Sequence, residues 1–319
     1  MENEITDVQS YKLDFNGKGS TFFGIVVLNW LLTVVTLSFY YPWAKVKQLQ
    51  YLYSSTSLNG DNFSFHGTGK EMFKGYIKAL GLFIFIYGLT LLSFYLEEPI
   101  IGGIFFYFAI ICIIPVAIHG SYRYRFSRTS WRGIRFGYRG NRTELFVSYF
   151  KWIFLTIITL GIYASWLEIG LRKYLISNIR IGDVEFKYKG KGGEYFLLNL
   201  VGGLLTLVTL GIYSFWFYKK VFAYYVDNMS LYKEGREIKF KSTLNACDIF
   251  KVGMVNLLII IFTLGLGYAW AVTRSLNLIF SKIELEGSID LNSIQQTEAD
   301  YNDATGEDIS DFLNIDLIF

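Results

Sequence analysis

The chain reads as an all-α polytopic membrane protein made of tandem repeats. Each repeat is a short β-hairpin plus a hydrophobic helix, and the whole carries about six hydrophobic membrane segments. Three observations predict this. Charges vanish over long stretches, a unit of roughly fifty residues recurs about five times, and basic residues gather between the apolar stretches.

The charge-free stretches are residues 19–44, 79–96, 99–118, 152–167, 195–218 and 252–273. About 20 apolar residues at 1.5 Å each cross a hydrocarbon core of roughly 30 Å. Five of the six stretches approach that length, and the one at 152–167 does so if the snorkelling Lys151 is included. A soluble helix of such length would show charge every turn on its wet face. With 52% hydrophobic residues, 19% aromatics and only 3 prolines, the composition excludes an ordinary soluble domain.

The repeat sets the order of elements. Leu13, Phe63, Phe136, Phe186 and Phe240 begin equivalent units. Two residues on stand Phe15, Phe65, Tyr138 and Tyr188, and two further Gly17, Gly67, Gly140 and Gly190. Alternating aromatics before a glycine suggest a short strand with a turn after it, and Asn59-Gly60 upstream of Phe63 is a hairpin signal. An acid then opens each span: Glu71, Glu144, Glu194 and Asp248 suit the positive end of a helix dipole. Further along come Thr36, Thr159, Thr209 and Thr263, each followed seven residues later by Trp43, Trp166, Trp216 or Trp270. Such aromatics fit the border of hydrocarbon and headgroups, with the nearby glycine allowing a kink or close helix packing. The second unit is longer by about one membrane crossing and lacks the threonine–tryptophan signature. The fifth lacks the glycine and reads as a decayed copy.

The formal charge of +3 is uneven. Ten acids and no Lys or Arg follow from Glu284 onward, leaving +13 for residues 1–283. The expected division is a repeat-built membrane domain over 1–286 and an acidic, disordered tail over 287–319. The acidic start of the chain, with no cleavage pattern after the first apolar run, predicts a retained first span.

Topology is pulled two ways. If each ordinary unit crosses once, residues 168–191 and 219–241 lie on opposite sides, yet each holds six Lys or Arg, against the positive-inside rule. If each is a helical hairpin bent at the threonine, all connectors share one side. The first arm is then only about 22 Å long, too short to span. Length favours crossings; charge favours hairpins, and slightly outweighs it.

The segments Phe15-Asn-Gly-Lys-Gly, Thr36-Leu-Ser-Phe-Tyr-Tyr-Pro-Trp43 and Phe63-Ser-Phe-His-Gly-Thr-Gly-Lys-Glu-Met-Phe73 resemble the YjgN-like family of bacterial inner-membrane proteins, over roughly residues 11–283. The resemblance implies a polytopic protein of the bacterial inner membrane and carries no activity or catalytic residues with it.

No P-loop, HExxH or GxSxG motif appears, and Cys112, Cys247, His66 and His119 form no metal or disulfide pattern. The chain is therefore expected to be no enzyme and to need no cofactor or metal. Candidate transport or lipid-contact residues are Lys78 and Lys151 near the spans, the i, i+4 pair Glu168 and Arg172, and the basic cluster Arg123, Arg125 and Arg128. The expected function is transport of a small solute or ion. The alternative is a non-catalytic envelope protein binding anionic lipid or a protein partner through basic connectors, with no role in nucleic-acid binding.

Overall fold

Residues that alternate aromatic and polar side chains form strands here, and the strands close on themselves. The structure, a computed structural model, describes residues 9–297. The first unit is β1 (Gln9–Phe15), α1 (Gly19–Val35), α2 (Tyr41–Ser54) and β2 (Thr56–Leu58). The second is β3 (Asp61–Phe65), α3 (Gly69–Tyr95), α4 (Pro99–Ser127) and β4 (Thr129–Trp131). The third is β5 (Ile134–Tyr138), α5 (Arg142–Ile158), α6 (Ala164–Ser177) and β6 (Ile179–Ile181). The fourth is β7 (Val184–Tyr188), α7 (Gly192–Val208), α8 (Ser214–Asp227) and β8 (Met229–Lys233). The fifth is β9 (Arg236–Ser242), α9 (Ala246–Phe262), α10 (Tyr268–Ser281) and β10 (Ile283–Gly287).

The ten strands form a closed antiparallel barrel in which each pairs with its sequence neighbour and β1 pairs with β10. Register is visible in pairs such as Leu13↔Leu58, Phe63↔Trp131, Phe136↔Ile181 and Leu285↔Phe240. One face of each strand is apolar and buried. Trp131, Ile238 and Val184 have no exposed surface, and the rings of Phe63, Phe136 and Phe186 pack in sequence, tilted, with centroids 6.0 and 6.5 Å apart. The opposite face is polar, with Lys12, Asp14, Lys239 and Lys241 exposed. A barrel that faced lipid would reverse this pattern, so the barrel is a water-facing shell around a filled core.

Tight turns join the units. Asn59-Gly60, Arg132-Gly133 and Glu234-Gly235 hold both central residues at positive φ, as a two-residue hairpin requires. All of these turns lie at one end of the barrel, and every helical pair leaves from the other. The chain after β10 folds over the turn end. Ile289, Leu291 and Ile294 are buried there, and the Tyr11 hydroxyl donates to the Ile289 carbonyl at 2.9 Å. Packing thus runs past residue 286, where the acidic tail was expected to begin; residues 298–319 lie outside the described residues.

The all-α expectation is overturned by this barrel. So is the count of about six membrane segments. Among the described residues only α3 and α4, of 27 and 29 residues, are long and apolar enough to cross a membrane. The other charge-free stretches are each two helices around a bend. The arms α1, α5, α7 and α9 have 17 residues and their partners 14, about 26 Å and 21 Å at 1.5 Å per residue. The bend residues are themselves apolar, so the charge pattern runs through them without a break. The hairpin alternative is the arrangement adopted: α1 and α2, and their counterparts, lie antiparallel side by side.

Candidate functional site

The threonine signature builds the bend. Thr36, Thr159 and Thr209 each donate their hydroxyl to the carbonyl four residues back at 2.7 Å. Each also accepts the backbone N–H four residues ahead, at 2.9, 3.0 and 2.9 Å. Thr263 does the same toward Ile259 and Gly267. One side chain thus ends the first helix and caps the second. Between the two bonds the chain turns through the left-handed region at Leu160-Gly161, Leu210-Gly211 and Leu264-Gly265, while the first unit uses Leu37-Ser38. The leucines at these tips are bare, at 83 to 94% exposure.

Three of the four signature tryptophans pack against a glycine of the next unit. Trp43 lies against Gly69 of the next unit's first helix, Trp166 against Gly192, and Trp270 against Gly19 around the closure; a Cβ at any of these glycines would run into the indole. The fourth junction lacks this seat, since Ala246 begins α9 and Trp216 stays 47% exposed. The glycines after the strands are equally steric: at Gly17, Gly67, Gly140 and Gly190 a Cβ would meet the ring two residues earlier. They provide room for an aromatic side chain rather than a turn.

Sequence reasoning missed how each hairpin is held at its base. Tyr51, Tyr174 and Tyr224 each accept the backbone N–H and donate to the carbonyl of Lys18, Asn141 and Lys191, at 2.7 to 2.9 Å. Each stands eight residues after the signature tryptophan, and that constant offset was the available signal. The second and fifth units use ion pairs instead, Arg128–Glu71 at 3.0 Å and Lys282–Asp248 at 3.3 Å. The first-turn acids are where expected, and Glu71 completes a capping box with Thr68.

The candidate residues fall into three places. Glu168 and Arg172 share a face of α6 with 3.9 Å between charged atoms, and the Arg172 guanidinium lies over the Tyr225 ring at 3.7 Å. The Tyr225 hydroxyl bonds Glu168 and meets the Tyr195 hydroxyl, so the pair belongs to a polar knot joining α6, α7 and α8. Arg123, Arg125 and Arg128 are half-buried at the end of α4, Arg128 being engaged with Glu71. Lys78 and Lys151 are exposed on α3 and α5. Lys78 continues Lys70 and Lys74, also exposed, at i, i+4 and i+8 along α3. No group of three or more His, Cys, Asp or Glu side chains that could hold a metal occurs among the described residues.

On the barrel, burial tends to raise the Asp183 carboxyl, but Lys233 at 2.8 Å and the Gln295 N–H outweigh it and hold it below the usual range. Glu237 is lowered too, chiefly by its hydrogen bond from Lys189 at 2.6 Å. Burial pushes the Tyr138 and Tyr188 hydroxyls well up, so both remain neutral inside the core.

A family described as "Bacterial protein of unknown function (DUF898)" matches residues 10–189, 183–235 and 217–312. The inner membrane protein YjgN of Escherichia coli O157:H7 is 36% identical over 132 residues, 41% of this chain and 32% of that protein. YjgN of Salmonella typhimurium is 36% identical over 142 residues, 44% of this chain and 34% of that protein. The matched stretch therefore spans about a third of the length of these curated relatives. No solved structure matches. With matches along nearly its whole described length, the chain belongs to the DUF898, YjgN-like family and is an inner-membrane protein.

Proposed function

We propose that the protein is a non-catalytic membrane module that engages anionic lipid headgroups through the exposed lysine stripe of α3. In this reading α3 and α4 cross the bilayer. The four shorter hairpins enter the bilayer from one side without crossing it, with bare apolar tips, and the polar barrel stays in the cytoplasm on the side of the basic residues. The observation that carries it is the placement of Lys70, Lys74 and Lys78. All three are exposed on one face over about 12 Å of the first turns of a membrane-crossing helix. Their stems run along hydrocarbon while the ammonium groups reach phosphates. Transport, the expectation from sequence, has less support, because the core of the barrel is filled with side chains where a pathway would have to continue.

Vesicle reconstitution tests the reading. Purified protein should float preferentially with phosphatidylethanolamine vesicles containing phosphatidylglycerol, and K70Q/K74Q/K78Q should abolish that preference. At about 1 kcal/mol per lysine near an anionic surface, the triple variant loses on the order of a hundredfold in relative binding. An unchanged preference in the triple variant, or solute flux above that of empty vesicles, refutes it.

A further inference from the structure

The fifth unit departs from the other four at several positions, and two of them, Gly253 and Leu278, line one cavity. About 330 Å³ in volume, it lies between α8, α9 and α10, walled by Phe222, Val226, Ile249, Val252, Leu278 and Ile279. That places it at the lower end of the roughly 300–1,000 Å³ typical of ligand pockets.

Gly253 stands thirteen residues into its unit, where the second and third units place the buried Tyr76 and Tyr149. It lines the cavity and is exposed, and a Cβ there would touch nothing within 4 Å. Leu278 replaces the tyrosine that clasps the base in units one, three and four. Ala246 replaces the glycine seat, leaving Trp216 turned outward. Inside, Asn256 gives its amide hydrogens to Ala271 and Ser275, at 3.2 and 2.9 Å, while its Oδ1 is buried without a hydrogen-bond partner.

We infer that this cavity takes one acyl chain of a membrane phospholipid, entering beside Gly253 between the fourth and fifth units. The walls point to that occupant. They are hydrocarbon apart from the tyrosines, Asn256 and Ser275, and Phe250, Met254 and Leu257, within four residues of Gly253 on α9, are exposed. In an inner-membrane protein, a surface of this kind is covered by lipid tails. A chain already in the bilayer moves sideways into such a cavity without crossing water, and no charge on the walls has to be desolvated. The inference rests on the helices lying in the membrane, as proposed above, and is independent of headgroup charge.

Native mass spectrometry after extraction from vesicles of phosphatidylethanolamine alone tests it. The wild-type protein should retain one phospholipid per chain. Gly253→Tyr, which copies the second and third units, should lose it while melting at the same or a higher temperature. Ser275→Leu fills the same space from α10 and leaves Asn256 bonded to Ala271, so it should also empty the site even if Gly253→Tyr folds poorly. Equal retention in wild type and both variants, retention of free fatty acid in place of phospholipid, or no retained lipid in wild type would each overturn it. Loss of anionic preference in the lysine variant with retention unchanged separates this site from the headgroup contact.

Discussion

Replacing Thr159 by valine isolates what the bend hydroxyl contributes. Valine keeps the branched shape and removes both hydrogen bonds. The Leu155 carbonyl keeps a partner, because it also accepts the backbone N–H of Thr159 at 3.0 Å. The N–H of Tyr163, bonded at 3.0 Å to the lost hydroxyl, does not. Leaving a donor unmet away from water costs about 1–3 kcal/mol. The Thr209 and Thr263 bends are separate from it, so T159V/T209V/T263V should add nearly linearly, to about 3–9 kcal/mol. That is comparable with the whole stability of many domains, about 5–15 kcal/mol. The single variant should unfold at lower denaturant in lipid nanodiscs than wild type, by at least about 1 kcal/mol more than T159S, which keeps the hydroxyl. If T159V and T159S unfold together, the hydroxyl is not what holds the bend.

At the inter-unit contact, G192A should push a methyl into the Trp166 indole and cost about 1–3 kcal/mol in unfolding free energy, whereas G203A, where a Cβ meets nothing, should cost far less. Y174F removes both hydrogen bonds to the Asn141 backbone and should destabilise by about 1–2 kcal/mol, read as faster proteolysis at the base of the third hairpin; an unchanged cleavage rate would exclude the clasp. For Asp183 and Glu237 the folded carboxyls lie below their unfolded values. Their stabilisation is therefore present above about pH 4 and is lost as pH falls through the folded pKa. Wild-type melting temperature should drop on acidification from about pH 5, and D183N should show a shallower drop; parallel curves would remove Asp183 from the account.

The repeat, the strand-forming aromatics and the first-turn acids were legible because each is local and recurs at a constant offset. Barrel closure was not. β2, β4 and β6 are only three residues long, too short for alternation to register, and β1 finds β10 more than 270 residues away. The bends were hidden for a chemical reason: Thr-Leu-Gly-Ile-Tyr is as apolar as the helices it separates, so a test for missing charge reads two short arms as one long one. The evenness of basic charge across connectors was the better guide to the helical hairpins, since every connector belongs to the one barrel. The signature tryptophan and the glycine it rests on belong to different units. Their contact joins one unit to the next, and nothing within a single unit reveals it.

The pairing of the first strand with the last has a consequence for anything attached to this domain. The start of β1 and the end of β10 lie among the tight loops, on the face turned away from the helices. With the helices in the membrane as proposed, that face looks into the aqueous compartment, so a domain fused there need not thread past lipid. By the same geometry, a chain opened at Asn59-Gly60, with its original ends joined by a linker, should still fold into the same closed wall.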